Sequence, residues 1–422
     1  MFRSSHEEYF KKEFFTLILL SFCGSIIYGL PYFRKYYYDD YMALYHLDNF
    51  QMGLLGSAYG LLGLFSYALG GYLADRFAPK KLLIFSLVAT GCGGLLHLYF
   101  TSLKALMIIY GLWGITSLLT FWPSLMKIIR TLASKQEQAR AYGVFEGGRG
   151  VVSAIHLAIA TAIFGYFQTK ALASKGIEMI IIFYSLAPII SAVILFFLLK
   201  ESKHEKSENL KWSDFLSLIK NPALWLVVAI TFCTYFFNMS FYYFTPYASN
   251  VIGTSAVFAA ILAVLASYIR PIASIVGGFV ADGFGKAKVM LVGFVTMGLG
   301  VVLLMFSAYW GGFIQMVALT LACVIVYVAM YSNFSIYYSL LSEGKIPVHL
   351  AGMAIGIVST FGYLPEVFAP VLAGDLLDKY QGVKGFHIYF SIMIAMAIMG
   401  AIFCLLWIKK YNKKGKKYEE NN

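Results

Sequence analysis

Charge is what this sequence of 422 residues has least of. Asp, Glu, Lys and Arg make up 13% of it and hydrophobic residues 60%, whereas a surface that faces water needs roughly a quarter charged residues. The solvent implied is lipid. Cysteine is almost as scarce: none of Cys23, Cys92, Cys233, Cys323 and Cys404 forms a C-x-x-C pair, so neither a disulfide framework nor a metal site is expected. The period-2 alternation of a lipid-facing barrel is missing too, which leaves helices as the way to satisfy the backbone in a bilayer. H-E-x-x-H, G-x-S-x-G, a P-loop and paired carboxylates for two metals are all lacking, and Gly283-Phe284-Gly285-Lys286 is too short to cradle phosphate. An enzyme, a resident cofactor and nucleotide-driven pumping are therefore not expected.

What is present is long apolar runs. Phe14 to Phe33, Met179 to Leu199 and Ile388 to Ile408 each have about the 20 residues needed to cross a hydrocarbon core. The first run lacks a small-residue cleavage site and reads as a retained helix. The pattern predicts an all-α membrane protein of twelve transmembrane helices near 14–36, 51–73, 82–100, 105–127, 142–168, 178–199, 222–245, 254–280, 288–308, 312–337, 350–374 and 388–408. One connection is long and polar, 200–221, and divides the chain into a six-helix bundle at 1–199 and a second at 222–422 with a basic tail. Within it Leu210, Trp212, Phe215, Leu216 and Ile219 recur at helical spacing before Pro222, the pattern of an amphipathic helix on the membrane surface.

The net charge of +12 is distributed with direction. With the amino terminus inside, the even-numbered loops and both tails hold 24 of 33 Lys and Arg residues, and the odd-numbered loops hold 7. That skew is the positive-inside rule and puts both termini in the cytoplasm. The run Lys409, Lys410, Lys413, Lys414, Lys416 and Lys417 reads as an anchor for anionic lipid, with no nucleic-acid role. Tyr, Lys, Ile and Asn usage points to an AT-rich bacterial genome and so to an inner membrane, and a monomer is expected.

Gly70-Gly71-Tyr72-Leu73-Ala74-Asp75-Arg76-Phe77-Ala78-Pro79-Lys80-Lys81 returns 207 residues later as Gly277-Gly278-Phe279-Val280-Ala281-Asp282-Gly283-Phe284-Gly285-Lys286-Ala287-Lys288, six of twelve positions being identical. Both copies close the second helix of their half, so the halves read as duplicates. The pattern G-G-x-x-A-D-R-x-x-x-x-K resembles the loop 2–3 signature of the major facilitator superfamily, over essentially the whole chain. The resemblance implies a rocker-switch carrier with a central site between the halves. It also implies a cytoplasmic gate made by Gly71, Asp75 and Arg76, with Arg130 and Asp282 beside them; the second copy departs from the signature at Gly283, so the gate is assigned mainly to the first. Tyr32-Phe33-Arg34-Lys35, Leu54 to Gly60, and Phe121-Trp122-Pro123 with Lys135 to Gly143 are similar to the organic phosphate and anion antiporters. Those use basic residues on helices 1 and 7 to bind phosphate; here the seventh helix offers Asn238 instead.

An ionisable group inside a membrane helix needs a partner, water or substrate to offset its cost. Arg270, halfway along the eighth helix before Pro271, offers five donors that suit a carboxylate or phosphate, or else a structural ion pair. Glu366, after Pro365 in the eleventh, could carry a coupled proton or neutralise Arg270. Arg34 and Lys35 reach a cavity if the first helix is long and form a solvated rim if it is short; the rim is the preferred reading. Glu146 and Arg149, three apart, suit an intrahelical pair or gate chemistry. His97 and His156 read as satisfied core or cavity-lining groups, with proton relay as the alternative. Tyr28, Trp113, Trp122, Tyr235, Tyr242 and Tyr243 could line a cavity. The expected cargo is a small organic anion or zwitterion, with protons as a coupling ion; a proton-driven efflux carrier for drug-like amphiphiles and a non-transporting sensor are the alternatives.

Overall fold

The computed structural model describes residues 2–132, 138–199, 212–344, 346 and 350–412. Eleven helices among the described residues are long and apolar enough to cross a membrane: α1 Phe14–Lys35, α3 Pro79–Tyr99, α4 Leu103–Ile129, α5 Gly147–Gln168, α6 Ala173–Leu198, α7 Pro222–Asn250, α8 Ala256–Ala281, α9 Lys286–Ser307, α10 Gly312–Glu343, α11 Met353–Lys379 and α12 Val383–Tyr411. The helix α2, Asn49–Arg76, is 28 residues long and supplies the twelfth; its side chains at 65 and 67–76 lie outside the described residues.

The chain forms two compact units. One comprises 1–47 and 58–208, the other 48–57 and 209–422. α2 therefore begins in the second unit and continues in the first, a division the sequence reading, which cut at the linker alone, does not contain. The first turns of α2 dock on α11: Asp378 Oδ1 accepts from the Asn49 side-chain amide at 2.7 Å and Oδ2 accepts from the Phe50 N–H at 2.6 Å. Ser57 donates to the Val367 carbonyl. The approach is close because a Cβ at Gly53 would overlap the Pro370 carbonyl, and one at Gly374 that of Asn49.

Inside each unit the core is apolar, while large apolar side chains such as Phe197, Phe279 and Phe313 stand exposed, as a lipid-facing surface requires. The linker helix is Trp212–Ile219. Leu210 and the Trp212 side chain lie outside the described residues; among the described side chains of this helix Leu218 is buried and Leu216 exposed. Trp225 Nε1 donates to the Ile219 carbonyl at 2.7 Å and ties the helix to α7.

Several spans are broken rather than straight. α1 loses regularity at Ile27 and Tyr28 and ends in a 3-10 turn, Phe33–Lys35. α4 carries a π-turn at Ile115–Phe121, α7 a 3-10 turn at Phe241–Tyr243 and α10 another at Tyr337–Ser339. α11 divides into Ala351–Gly362 and Pro365–Lys379, because Pro365 has no N–H to continue the ladder and its ring displaces the preceding turn. Irregular backbone at membrane depth is tolerated where it lines a protected or wet cavity, and the breaks carry the aromatic and charged residues of interest.

Candidate functional site

In the first unit, Arg34 and Lys35 are buried, at 3% and 6% exposed. They are not a solvated rim. The reason is a helix absent from the sequence reading, Tyr38–Tyr45, which folds back after the 3-10 turn and ends at His46 in the left-handed region, φ 52°. The Arg34 Cζ sits 5.0 Å from the centroid of Tyr110, and its buried Nε has no hydrogen-bond partner. Among the described residues Arg34 has no salt-bridge partner. Lys35 Nζ lies 4.5 Å from the Tyr32 ring.

Beside this cation lies His97, fully buried, with Tyr41 and Tyr45 hydroxyls 2.7 and 2.8 Å from its two ring nitrogens and Trp113 stacked at 5.7 Å. A neutral imidazole donates from one nitrogen and accepts at the other, so the ring is fully satisfied. His156 is held likewise, Nε2 3.1 Å from Ser25 Oγ and Nδ1 2.9 Å from the Tyr184 hydroxyl.

Further along α1, Tyr28 stands at the helix break with Trp122 edge-on at 6.4 Å, just after the π-turn of α4. Arg149 of α5 completes this wall. Its Cζ is 4.8 Å from the Trp122 ring, 5.5 Å from Phe145 and 5.8 Å from Tyr28, and Nε donates to the Gly24 carbonyl at 3.0 Å. Glu146, the partner expected for Arg149 three residues away, has its side chain outside the described residues; Arg149 itself lies on the aromatic face of Tyr28 and Trp122. Gly24 permits this, since a Cβ there would stand 3.1 Å from the Phe145 ring.

The second unit repeats the theme with the opposite charge. Tyr235 stands 207 residues after Tyr28, the offset of the repeated hairpin, and its hydroxyl donates to Glu366 Oε2 at 2.8 Å. Glu366 is 5% exposed and lies in the first turn of the second α11 segment, where free N–H groups and the helix dipole favour an anion. Tyr363 stacks on Tyr235 with centroids 4.1 Å apart, and its hydroxyl is 2.8 Å from those of both Tyr337 and Tyr338. Tyr338 in turn meets Ser359 Oγ at 2.6 Å.

Arg270 of α8 is exposed, with its Cζ 5.7 Å from Tyr331 and 5.9 Å from Phe334. Asn238 is half-buried one turn beyond Tyr235, and Tyr242 packs on Phe241 at 3.9 Å in the α7 break. The side chains of Gly71, Asp75, Arg76, Arg130, Glu146 and Asp282 lie outside the described residues. Tyr41, Tyr110, Tyr337, Tyr338 and Tyr363 were missed from the sequence because single tyrosines in apolar helices carry no spacing signal. The breaks at Pro123 and Pro365 were the available clue.

Twelve spans, broken helices with charged and aromatic groups at the breaks, and a duplicated hairpin are the features a family comparison has to explain. The family model of the Major Facilitator Superfamily matches residues 14–370. The chain belongs to the major facilitator superfamily. This superfamily member is 28% identical to the inner membrane protein YihN of Escherichia coli K12, over 96% of this chain and 98% of that one. It is 24% identical to the inner membrane protein YqcE of the same organism, covering 96% of each. Its fold is similar to that of a bacterial homolog of the human lysosomal transporter Spinster in an inward-facing, occupied conformation, with TM-score 0.78, 14% identity, and 94% and 97% of the two chains covered. It is a multi-pass membrane protein with a transporter fold.

Proposed function

We propose that the protein is a secondary carrier for a small organic anion or zwitterion, working by alternating access in an inner membrane. The observation that carries this reading is Arg34: a guanidinium 3% exposed, with an unpartnered Nε and, among the described residues, no carboxylate in reach. Taking an ion out of water costs several kcal/mol unless something compensates it, and a desolvated tyrosine face returns about 2 kcal/mol of that. A planar anion that accepts two parallel N–H bonds supplies the missing partner. Arg149, set against Tyr28 and Trp122, gives the same unit a second cation for the body or the far charge of the substrate, and Arg270 gives the second unit one of its own. Asn238 and Tyr242 contribute neutral donors.

Glu366 is proposed as the coupled proton's site, since a carboxyl that already takes a tyrosine hydroxyl bond away from water can alternate between ionised and neutral forms. His156, bonded at both nitrogens, is the lesser candidate.

A second reading rests on the same carboxylate. Glu366 flanked by Tyr235 and Tyr363 also suits an amphiphilic cation. A thermal-shift panel on the purified protein separates the two, because a true ligand stabilises the folded state in proportion to its occupancy. Carboxylates or phosphate esters should raise the unfolding temperature in wild type and lose the effect in Arg34→Met; stabilisation by lipophilic cations alone, unaffected by that substitution, would overturn the anion reading.

A further inference from the structure

The tyrosine hydroxyls of the second unit form a network rather than isolated bonds. Four hydroxyl groups are joined in one cluster: Ser359 to Tyr338 at 2.6 Å, Tyr338 to Tyr363 at 2.8 Å, and Tyr363 to Tyr337 at 2.8 Å. Three of the four come from places where the helix is interrupted or about to be: Tyr337 and Tyr338 in the 3-10 turn of α10, and Tyr363 at the break in α11. An isolated buried hydroxyl needs one partner. These have several, and Tyr363 shares its oxygen between two neighbours.

The cluster points at Glu366. Tyr363 precedes it by three residues, its carbonyl accepts the Glu366 N–H at 2.9 Å, and its ring lies flat on Tyr235, the residue that donates to Oε2. The other end lies near the close of α10, where Tyr337 and Tyr338 are followed by Leu340–Glu343. We propose that Tyr338, Tyr337 and Tyr363, with Ser359 and Tyr235, form a proton relay between Glu366 and the membrane face at which α10 ends. The inference rests on the reading of Glu366 as the proton site and adds its route.

The transfer balances as a concerted hop. Tyr235 gives its O–H proton to Glu366 Oε2 and takes one from the Tyr363 side. Tyr363 is refilled through Tyr338 or Tyr337, and water at the α10 end supplies the cluster. Each hydroxyl loses and gains one proton, and the net change is one proton on the carboxylate. Because Tyr363 meets Tyr235 by ring stacking, that step requires a small rotation about the α11 break or an inserted water. Phenol rings about Glu366 suit this traffic, since each hydroxyl both donates and accepts.

Among the described residues the titratable and charged groups around Glu366 are few. α7 contributes Tyr235, and Tyr243, whose hydroxyl donates to the Pro370 carbonyl at 3.1 Å; α12 contributes Tyr389, bonded to Ser240 at 2.7 Å. Arg270 of α8 lies against Phe334, whose ring is 6.1 Å from Tyr235.

The test uses the proton itself as probe. The full chain is placed in phospholipid vesicles and the carboxylic acid C=O stretch of Glu366 is followed by infrared spectroscopy after a downward pH jump, with Glu366→Gln identifying the band. Tyr363→Phe and Tyr338→Phe keep the rings and remove the hydroxyls. Each should slow the rise of the band by about 100-fold, the scale of a lost positioned proton donor, and leave its final amplitude in place, while Tyr247→Phe, whose hydroxyl donates to the Leu304 carbonyl away from the cluster, should leave the rate unchanged. A band that rises at the wild-type rate in Tyr363→Phe and Tyr338→Phe overturns the relay. A wild-type protein with no band removed by Glu366→Gln overturns the proton-site reading beneath it, so the two failures are told apart.

Discussion

Replacing Arg34 by methionine should make the protein more stable and less able to hold its ligand. The guanidinium is 3% exposed, its Nε is unpartnered, and its compensation comes from neutral phenols, the Tyr110 ring at 5.0 Å and the Tyr110 hydroxyl, with no carboxylate paired to it among the described residues. Dehydrating a cation costs several kcal/mol, the aromatic face offsets about 2 kcal/mol, and exchange of buried ions for apolar groups of similar size has been stabilising by about 1–4 kcal/mol. Methionine is flexible enough to fill the same space against Tyr110. A gain of about 1–3 kcal/mol is therefore expected, read as a rise in the midpoint of thermal unfolding of the purified protein. The same variant should lose the stabilisation that an anionic ligand gives wild type, the usual trade between stability and a strained site. Arg34→Met unfolding at a lower temperature than wild type would show that the guanidinium is a structural anchor, and the reasoning about its uncompensated charge would fall.

Three further outcomes follow from the geometry. Asp378→Ala should lower the unfolding midpoint by the equivalent of about 1 kcal/mol, because it removes the acceptor that caps the start of α2; Asp378→Asn, which keeps an accepting oxygen, should recover part of it. Gly374→Val should disrupt folding, measured as loss of the monodisperse peak in detergent, since its Cβ would overlap the Asn49 backbone and neither helix can yield cheaply. Asp40, outside the spans, is pushed up to about 6 by burial and by the neighbouring Asp39 charge. The folded state thus holds that proton more tightly than the unfolded one, so stability falls as pH rises from about 4 to about 6. Asp40→Asn should flatten that part of the stability curve.

The architecture was legible because lipid imposes long apolar runs and the repeated hairpin marks the duplication. The site was legible only in part. Tyr28, Trp122 and Tyr235 stand beside charged groups, while the division of α11 ahead of Glu366 is a break that the apolar run around it does not announce. Arg34 was misjudged as a solvated rim because its burial depends on Tyr38–Tyr45, a short Tyr- and Asp-containing helix whose pattern looks like a loop. The contacts of Arg149 with Tyr28 of α1 and Trp122 of α4 are ones that no local spacing reveals. The hydroxyl cluster around Tyr363 is assembled from α10 and α11, and its members are scattered among 31 tyrosines with nothing in sequence to set them apart. The docking of α2 on Asp378, 329 residues away in sequence, is equally a property of the fold.

The most direct test of the carrier assignment is uptake of labelled small carboxylates and phosphate esters into vesicles that contain the purified protein, with and without a pH gradient. The account predicts saturable uptake of an anionic solute that Arg34→Met abolishes and that Glu366→Gln uncouples from the gradient. Uptake of such a solute by Arg34→Met at the wild-type rate, or transport confined to cationic solutes, would contradict it.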